Sequence, residues 1–326
     1  MARAKGLDGS PRIAWIESPL QFVNAVEYAF ATEEPLRVIP RASTPQLSGV
    51  VESLRDSLPP QVTLAPEAGQ ASATLFVRSR AILIGDAHSG QVRATLAASF
   101  ARDVVMVDDG SAMLAAMDQV ARRRPMKRPG VDETALAKTL GSVASHRLHR
   151  AARRGRLQVF TAYSQSAPAR SLASIGAAVS GNTYGWLRSL DAGHGIAGVK
   201  TIVAGSALVV DGLIAEEPYL EWVQVHAVPD AVYVAHRREQ DAFLERVTSM
   251  TGLPVVHPDV PLEFLAAASA SLERIATLPS SVLATLVHAV PPGVTVDVTP
   301  VADEWWMPGA DAAMKHLLEA VMDGED

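Results

Sequence analysis

No cysteine occurs among the 326 residues. That excludes disulfide staples, thiolate metal sites and a cysteine nucleophile. Also missing is any uninterrupted apolar run near the ~18 residues needed to cross a bilayer. The first residues, MARAKGLDGSPR, are polar and lack the apolar stretch of a secretory signal. The expectation is therefore a cytoplasmic protein, with peripheral contact at the inner face of a membrane kept open. No GxxxxGK[ST] loop is present, so nothing supports a P-loop kinase. No GxGxxG follows the first apolar run, so nothing supports nicotinamide binding. A formal charge of −6 argues against a general nucleic-acid binder.

What is present is a hydrophobic fraction of 48%, enough for a substantial core. The length is too great for one typical core and comfortable for two. Short β-rich runs alternate with helix-like runs, from RIAWIES (12–18) and PLQFVNAVEYAF (19–30) onward. A second series of the same kind starts at VKTIVAGS (199–206) and ends at VTVDVT (294–299). Such alternation implies βαβ units and parallel sheets. The expected architecture is α/β and GT-B-like: two Rossmann-like domains with parallel sheets facing across a cleft. The expected domains are 1–195 and 196–326, with the last helix packing back on the first domain. The Gly- and Ser-rich stretch 164–197 is the expected connection between them.

Charge is unevenly spread. Between Arg122 and Arg156 eleven Lys or Arg face only Asp132 and Glu133, a net of +9 that leaves −15 for the remainder. The plain reading is a solvated basic helix beside a loop, RRRPMKRPG. The sharper one is a surface for an anionic acceptor or an anionic membrane, with Arg147, Arg150, Arg153 and Arg154 as acceptor-side candidates.

The chemistry collects where apolar runs end. VVMVDDGSAML (104–114) closes a buried-strand pattern with two adjacent carboxylates, Asp108 and Asp109, and then Gly110. Four further strand-end features follow: Gly205-Ser206, His236-Arg237-Arg238, His257-Pro258 and Pro279-Ser280-Ser281. Each alone has an ordinary explanation as a turn or a helix cap. In open α/β sheets, however, ligands sit beyond the carboxyl ends of the strands. A carboxylate there can take a proton from a hydroxyl, and histidine with serine hydroxyls can hold a phosphate. Together they describe group transfer from a phosphate-bearing donor to a hydroxyl.

The order Asp-Asp-Gly, His-Pro, Ser-Ser resembles the bacterial sialyltransferases and polysialyltransferases of the GT-B type. ESPLQFVNAVEY, LIGD, GSALVVDGLIAEEPY and YVAHRRE are similar to the polysialyltransferase-like group as well, and the likeness spans roughly residues 12–290. The resemblance implies an inverting transferase that takes a CMP-activated sialic acid, or a related 2-keto acid sugar, to a glycan or glycolipid hydroxyl. It makes Asp108 the general base, with Asp109 beside it raising its pKa. It makes His257 the group that assists the departing phosphate. Gly205, Ser206, His236, Arg237, Pro258, Ser280 and Ser281 become donor-side residues. No metal or other cofactor is expected, because histidine, hydroxyls and a helix dipole can meet the leaving charge. The rival readings are a UDP-sugar epimerase or hydrolase on the same fold, and a non-catalytic nucleotide- or glycan-binding protein.

Overall fold

The computed structural model describes residues 12–42, 44–69, 79, 81–98, 103–110, 112–128, 133–190, 196–258, 260–280 and 282–308. The chain forms two compact units, residues 1–186 and 187–326. The first holds a seven-stranded sheet of β1 (Arg12–Ile16), β2 (Leu36–Pro40), β3 (Val62–Leu64), β4 (Ala81–Ile84), β5 (Asp103–Val107), β6 (Leu157–Thr161) and β7 (Ala178–Gly181). Their order is β3-β2-β1-β4-β5-β6-β7. The second holds β8 (Thr201–Ala204), β9 (Ala231–Val234), β10 (Val255–Val256), β11 (Arg274–Thr277) and β12 (Thr295–Val298), in the order β10-β9-β8-β11-β12. Every neighbouring pair is parallel. The expected α/β class with two parallel sheets is what the chain forms.

The strands read as near-continuous apolar runs because helices cover both faces of a parallel sheet. Val104–Val107 and all of Thr201–Ala204 are buried. In each sheet the strand order reverses beside its first strand, between β1 and β4 and between β8 and β11. These are the topological switch points, where the loops leaving two adjacent strands part in opposite directions and open a crevice.

The first helix, Pro19–Thr32, shows how the sequence positions the site. Ser18 caps it, its hydroxyl accepting from the Gln21 N–H, and Pro19 starts it with a preset φ. Every residue from Gln21 to Ala29 is buried, including Gln21, Asn24 and Glu27. Polar groups so deeply placed need partners, and the first two find them at the ends of neighbouring strands.

One expectation changes. The stretch 164–197 is not a bare connector. It carries a helix capped by Ser166 (Ala167–Ser174), then β7, then a short helix (Gly185–Ser189). β7 adds to β6 as an edge strand, with exposed residues that carry no buried-strand pattern. The basic segment supplies a helix, Ala135–Ala152, capped by Thr134. Among the described residues no helix is long and apolar enough to cross a membrane. The last helix expected to pack back on the first unit lies outside the described residues.

Candidate functional site

In the first unit the loops after β1, β4, β5 and β6 meet at the carboxyl edge of the sheet. Asp108 follows β5 directly and is fully buried. One carboxylate oxygen, Oδ2, accepts from the Ala162 N–H at 2.7 Å, and the Thr161 hydroxyl lies against the same group. Among the described residues no donor reaches the other oxygen, Oδ1, which is also buried. Burial pushes the Asp108 carboxyl up to about 7, against the pull of Thr161 and the Ala162 amide. The charge of Asp109 adds to the rise, but as the smallest contribution, so desolvation and not the neighbouring carboxylate dominates.

A relay of side-chain amides fixes this strand end. Asn24 Nδ2 donates to the Asp108 backbone carbonyl at 3.0 Å, and Asn182 Nδ2 donates to Asn24 Oδ1 at 2.9 Å. Asn182 Oδ1 in turn accepts from the Tyr184 N–H at 2.9 Å. Asp109 is less covered. Its Oδ1 accepts from the Ser18 hydroxyl at 2.9 Å. Its pKa is raised by burial and by the charge of Asp86, against Ser18, Gln21 and Arg128. Gly110 then turns the chain at φ 66°, a conformation that favours glycine.

Asp86, two residues past β4 in LIGD, is buried and held on both oxygens. Oδ1 accepts from the His88 N–H at 2.7 Å, and Oδ2 pairs with the Arg128 guanidinium. Burial alone would raise its pKa, but His88 and Arg128 outweigh that and lower it. His88 Nε2 also bonds Gln119 at 3.0 Å. Arg128 thus brings one charge of the basic segment to the acidic edge. Asp86, Thr161, Asn24, Asn182 and Ser18 were not singled out from the sequence. Ser18, Asp86, Thr161 and Asn182 all lie at or just past strand ends, but of these only Asp86 is an acid of the kind the sequence pattern could have marked.

The four acceptor-side arginines do not join this edge. Arg147 donates to the Leu96 carbonyl at 2.8 Å, and Arg150, Arg153 and Arg154 are exposed where the chain turns into β6. That is the amino edge of the sheet. A five-residue strand at ~3.3 Å per residue separates it from the Asp108 edge by roughly 16 Å.

In the second unit the parallel register aligns the expected donor-side residues. Val256 pairs with Val234, and Val234 with Ala204. His257, Ala235 and Gly205 are therefore the next residues along three adjacent strands. β11 ends at Thr277, so Leu278, Pro279 and Ser280 leave the same edge. His257 is exposed at the end of the edge strand, with Pro258 half-buried behind it, and Ser280 is half-buried. Arg237 is exposed. Arg238 pairs with Asp211 at 2.7 Å. His236 is half-buried, and burial with the charges of Arg238 and Arg237 lowers its pKa. Ser281 lies outside the described residues. The helix after it, Leu283–Ala289, has seven residues.

One group there was missed. Glu239 accepts from the Ser206 N–H at 3.1 Å and the Tyr233 hydroxyl at 2.7 Å on Oε1, and from the His236 N–H at 2.8 Å on Oε2. The run YVAHRRE contains it, but nothing in the sequence marks it as half-buried and fully bonded. Burial pushes its carboxyl up to about 7.

No protein-family model and no curated protein sequence matches the chain. Solved structures that it resembles include an α/β-galactoside α-2,3-sialyltransferase from the luminous marine bacterium Photobacterium phosphoreum. That likeness has a TM-score of 0.53 at 8% identity, over 97% of this chain and 96% of that one. Another is a UDP-glucosyltransferase from Polygonum tinctorium, capable of glucosylating indoxyl, with a TM-score of 0.50 at 16% identity over 90% of this chain and 81% of that one. At such identities the likeness is one of fold. The fold is the GT-B type of glycosyltransferases.

Proposed function

We propose that the chain is an inverting glycosyltransferase that moves a sialic acid or related 2-keto acid sugar from a CMP-activated donor to a hydroxyl of a glycan or glycolipid. The observation that carries the reading is Asp108: a buried carboxylate at the carboxyl edge, with a pKa of about 7 and an oxygen that no described donor reaches. In the proposed step the acceptor oxygen forms a bond to the anomeric carbon. The bond from that carbon to the CMP phosphate oxygen breaks, CMP leaves with the electron pair, and the acceptor proton passes to Oδ1. A pKa near working pH suits a group that must be both ionised and basic.

Asp109 is the rival proton acceptor, because it is the more exposed of the pair and a buried Asp108 must be uncovered before an acceptor hydroxyl can reach it. On the donor side His257 would stabilise the departing phosphate, with the hydroxyls of Ser206, Ser280 and Ser281 and the turn at Gly205 around it. His236, Arg237 and Pro258 complete that side. The reading routes no step through a metal. Its test is calorimetric titration with CMP and UDP, alongside CMP release with and without acceptor. The expected outcome is tighter binding of CMP and acceptor-dependent release. UDP binding tenfold tighter than CMP would overturn the donor assignment, and release of nucleotide that needs no acceptor would favour a hydrolase or epimerase.

The proposal gives the basic helix a different role from acceptor recognition. Leu136 (70% exposed) and Val143 (39% exposed) share the outer face of Ala135–Ala152 with Arg150, while Arg153 and Arg154 follow at its end. Apolar groups beside cations fit an anionic membrane surface. At ~1 kcal/mol per cation, replacing Arg150, Arg153 and Arg154 with Ser should weaken binding to anionic vesicles about 100-fold and leave neutral vesicles unaffected. Unchanged binding to anionic vesicles would return this helix to a solvated face.

A further inference from the structure

Glu239 sits where two of the proposed donor loops leave the second sheet. Its two oxygens bind backbone N–H groups from different strand ends: Ser206, after β8, and His236, after β9. Ser206 and His236 are 30 residues apart in the chain, yet one carboxylate sets the spacing between them. Tyr233, whose hydroxyl bonds Oε1, is itself buried and bonded to the Tyr219 hydroxyl at 2.9 Å, so the carboxylate is held from behind. Gly205 completes the fit. A Cβ there would lie 2.5 Å from Glu239 Oε2 and 2.5 Å from the His236 nitrogen, closer than any side chain tolerates. A glycine beside a half-buried carboxylate that accepts three hydrogen bonds makes a joint built for close approach.

We propose that Glu239 is a positioning residue for nucleotide binding: its carboxylate clamps the β8 and β9 loops in the geometry that presents Ser206 and His236 to the donor phosphate. This rests on the assignment of the second unit's carboxyl edge as the donor side. The clamp needs acceptors on both oxygens. A glutamine at 239 has one acceptor and one NH2 group, so either the Ser206 or the His236 N–H would face another donor. A protonated glutamate also weakens the clamp, because it loses its charge and one oxygen then carries a proton. Burial raises the Glu239 carboxyl to about 7, so protonation falls within an accessible range. The other ionisable groups packed around it are Tyr219 and Tyr233, whose pKa values burial raises well above the usual value, and His236, with Arg237, Arg238 and Asp211 beyond.

The test compares the wild-type chain with Glu239→Gln and Tyr233→Phe. CMP affinity is measured by calorimetry from pH 5.5 to 8.5, and exchange of the Ser206 and His236 amide hydrogens by NMR. Each affinity is read as a ratio to wild type at the same pH, which cancels titration of the CMP phosphate and His236. Glu239→Gln should bind CMP at least tenfold more weakly at pH 8.5, and the two proteins should converge toward pH 5.5. Tyr233→Phe removes a hydrogen bond that lowers the Glu239 pKa, so its loss of affinity should begin at a higher pH than in wild type. A ratio that stays constant with pH, or equal affinities at pH 8.5, would overturn the clamp. If wild type binds no CMP, the donor reading fails on its own account and exchange decides the clamp. Faster exchange at both amides in Glu239→Gln would sustain it, and unchanged exchange would end it.

Discussion

Each sheet has at its carboxyl edge a carboxylate raised to about 7, fully buried Asp108 in the first and half-buried Glu239 in the second, yet the two are in opposite states of satisfaction. Asp108 accepts one backbone N–H on Oδ2 and leaves Oδ1 without a described partner. Glu239 accepts from three donors on its two oxygens. A pKa near 7 alone therefore does not say what a carboxylate is for. In both cases desolvation is the main cause. What differs is whether an oxygen remains to receive something new. An unfilled oxygen in a dry site is costly to fold around, and the proposed role of Asp108 as a base gives that cost a use. A filled one holds loops together.

The sharpest way to break this contrast is through turnover. Asp108→Asn keeps the size of the side chain but cannot accept a proton, so single-turnover rate should fall ~10²–10⁴-fold with CMP affinity near normal. Glu239→Gln should do the reverse, losing affinity more than rate. His257→Ala should lose both. Asp109→Asn should cost less than tenfold in rate. If Asp109→Asn is instead the dead variant and Asp108→Asn turns over normally, the base is Asp109 and the contrast drawn here describes two structural carboxylates.

A smaller effect sharpens the same comparison through stability. The folded pKa of Asp108 is raised to about 7 from 3.8, so between those values the folded chain holds a proton that the unfolded chain has released. More protons bound in the folded state means stability falls as pH rises through that window. Asp108→Asn removes the titration. Its stability advantage over wild type should grow between pH 5 and pH 8, by on the order of 1–3 kcal/mol, as read from denaturant unfolding. A gap that does not widen between pH 5 and pH 8 would mean that Asp108 is not held with a raised pKa.

Much of this was legible in the sequence where a side chain's role follows from its place on a strand. VVMVDDG ends in carboxylates, and a parallel sheet puts all such ends on one edge, so Asp108, Gly205, His236, His257 and Ser280 fall at carboxyl edges as their patterns suggest. What could not be read are the partners that arrive from elsewhere in the chain. Nothing in FVNAV or SGNTYG says that Asn24 meets Asn182, and nothing in KRPG says that Arg128 reaches Asp86. β7 was missed because an exposed edge strand has no apolar alternation to display. The arginines of the basic segment illustrate the limit from the other side. Their charge is plain in the sequence, but the edge they occupy depends on the length of the crossover between β5 and β6.

The amide relay ties the outermost strand of the first sheet to its most buried acid. β7 is short and exposed, and such strands open by fraying on timescales far shorter than global unfolding. Its last anchor is Asn182, whose side chain bonds Asn24, which in turn holds the Asp108 carbonyl. Each excursion of this rim thus removes a support from Asp108 without unfolding anything else. A buried acid must somehow exchange protons with its surroundings. The relay makes the support of that acid depend on the periphery of the sheet, remote from the acid itself.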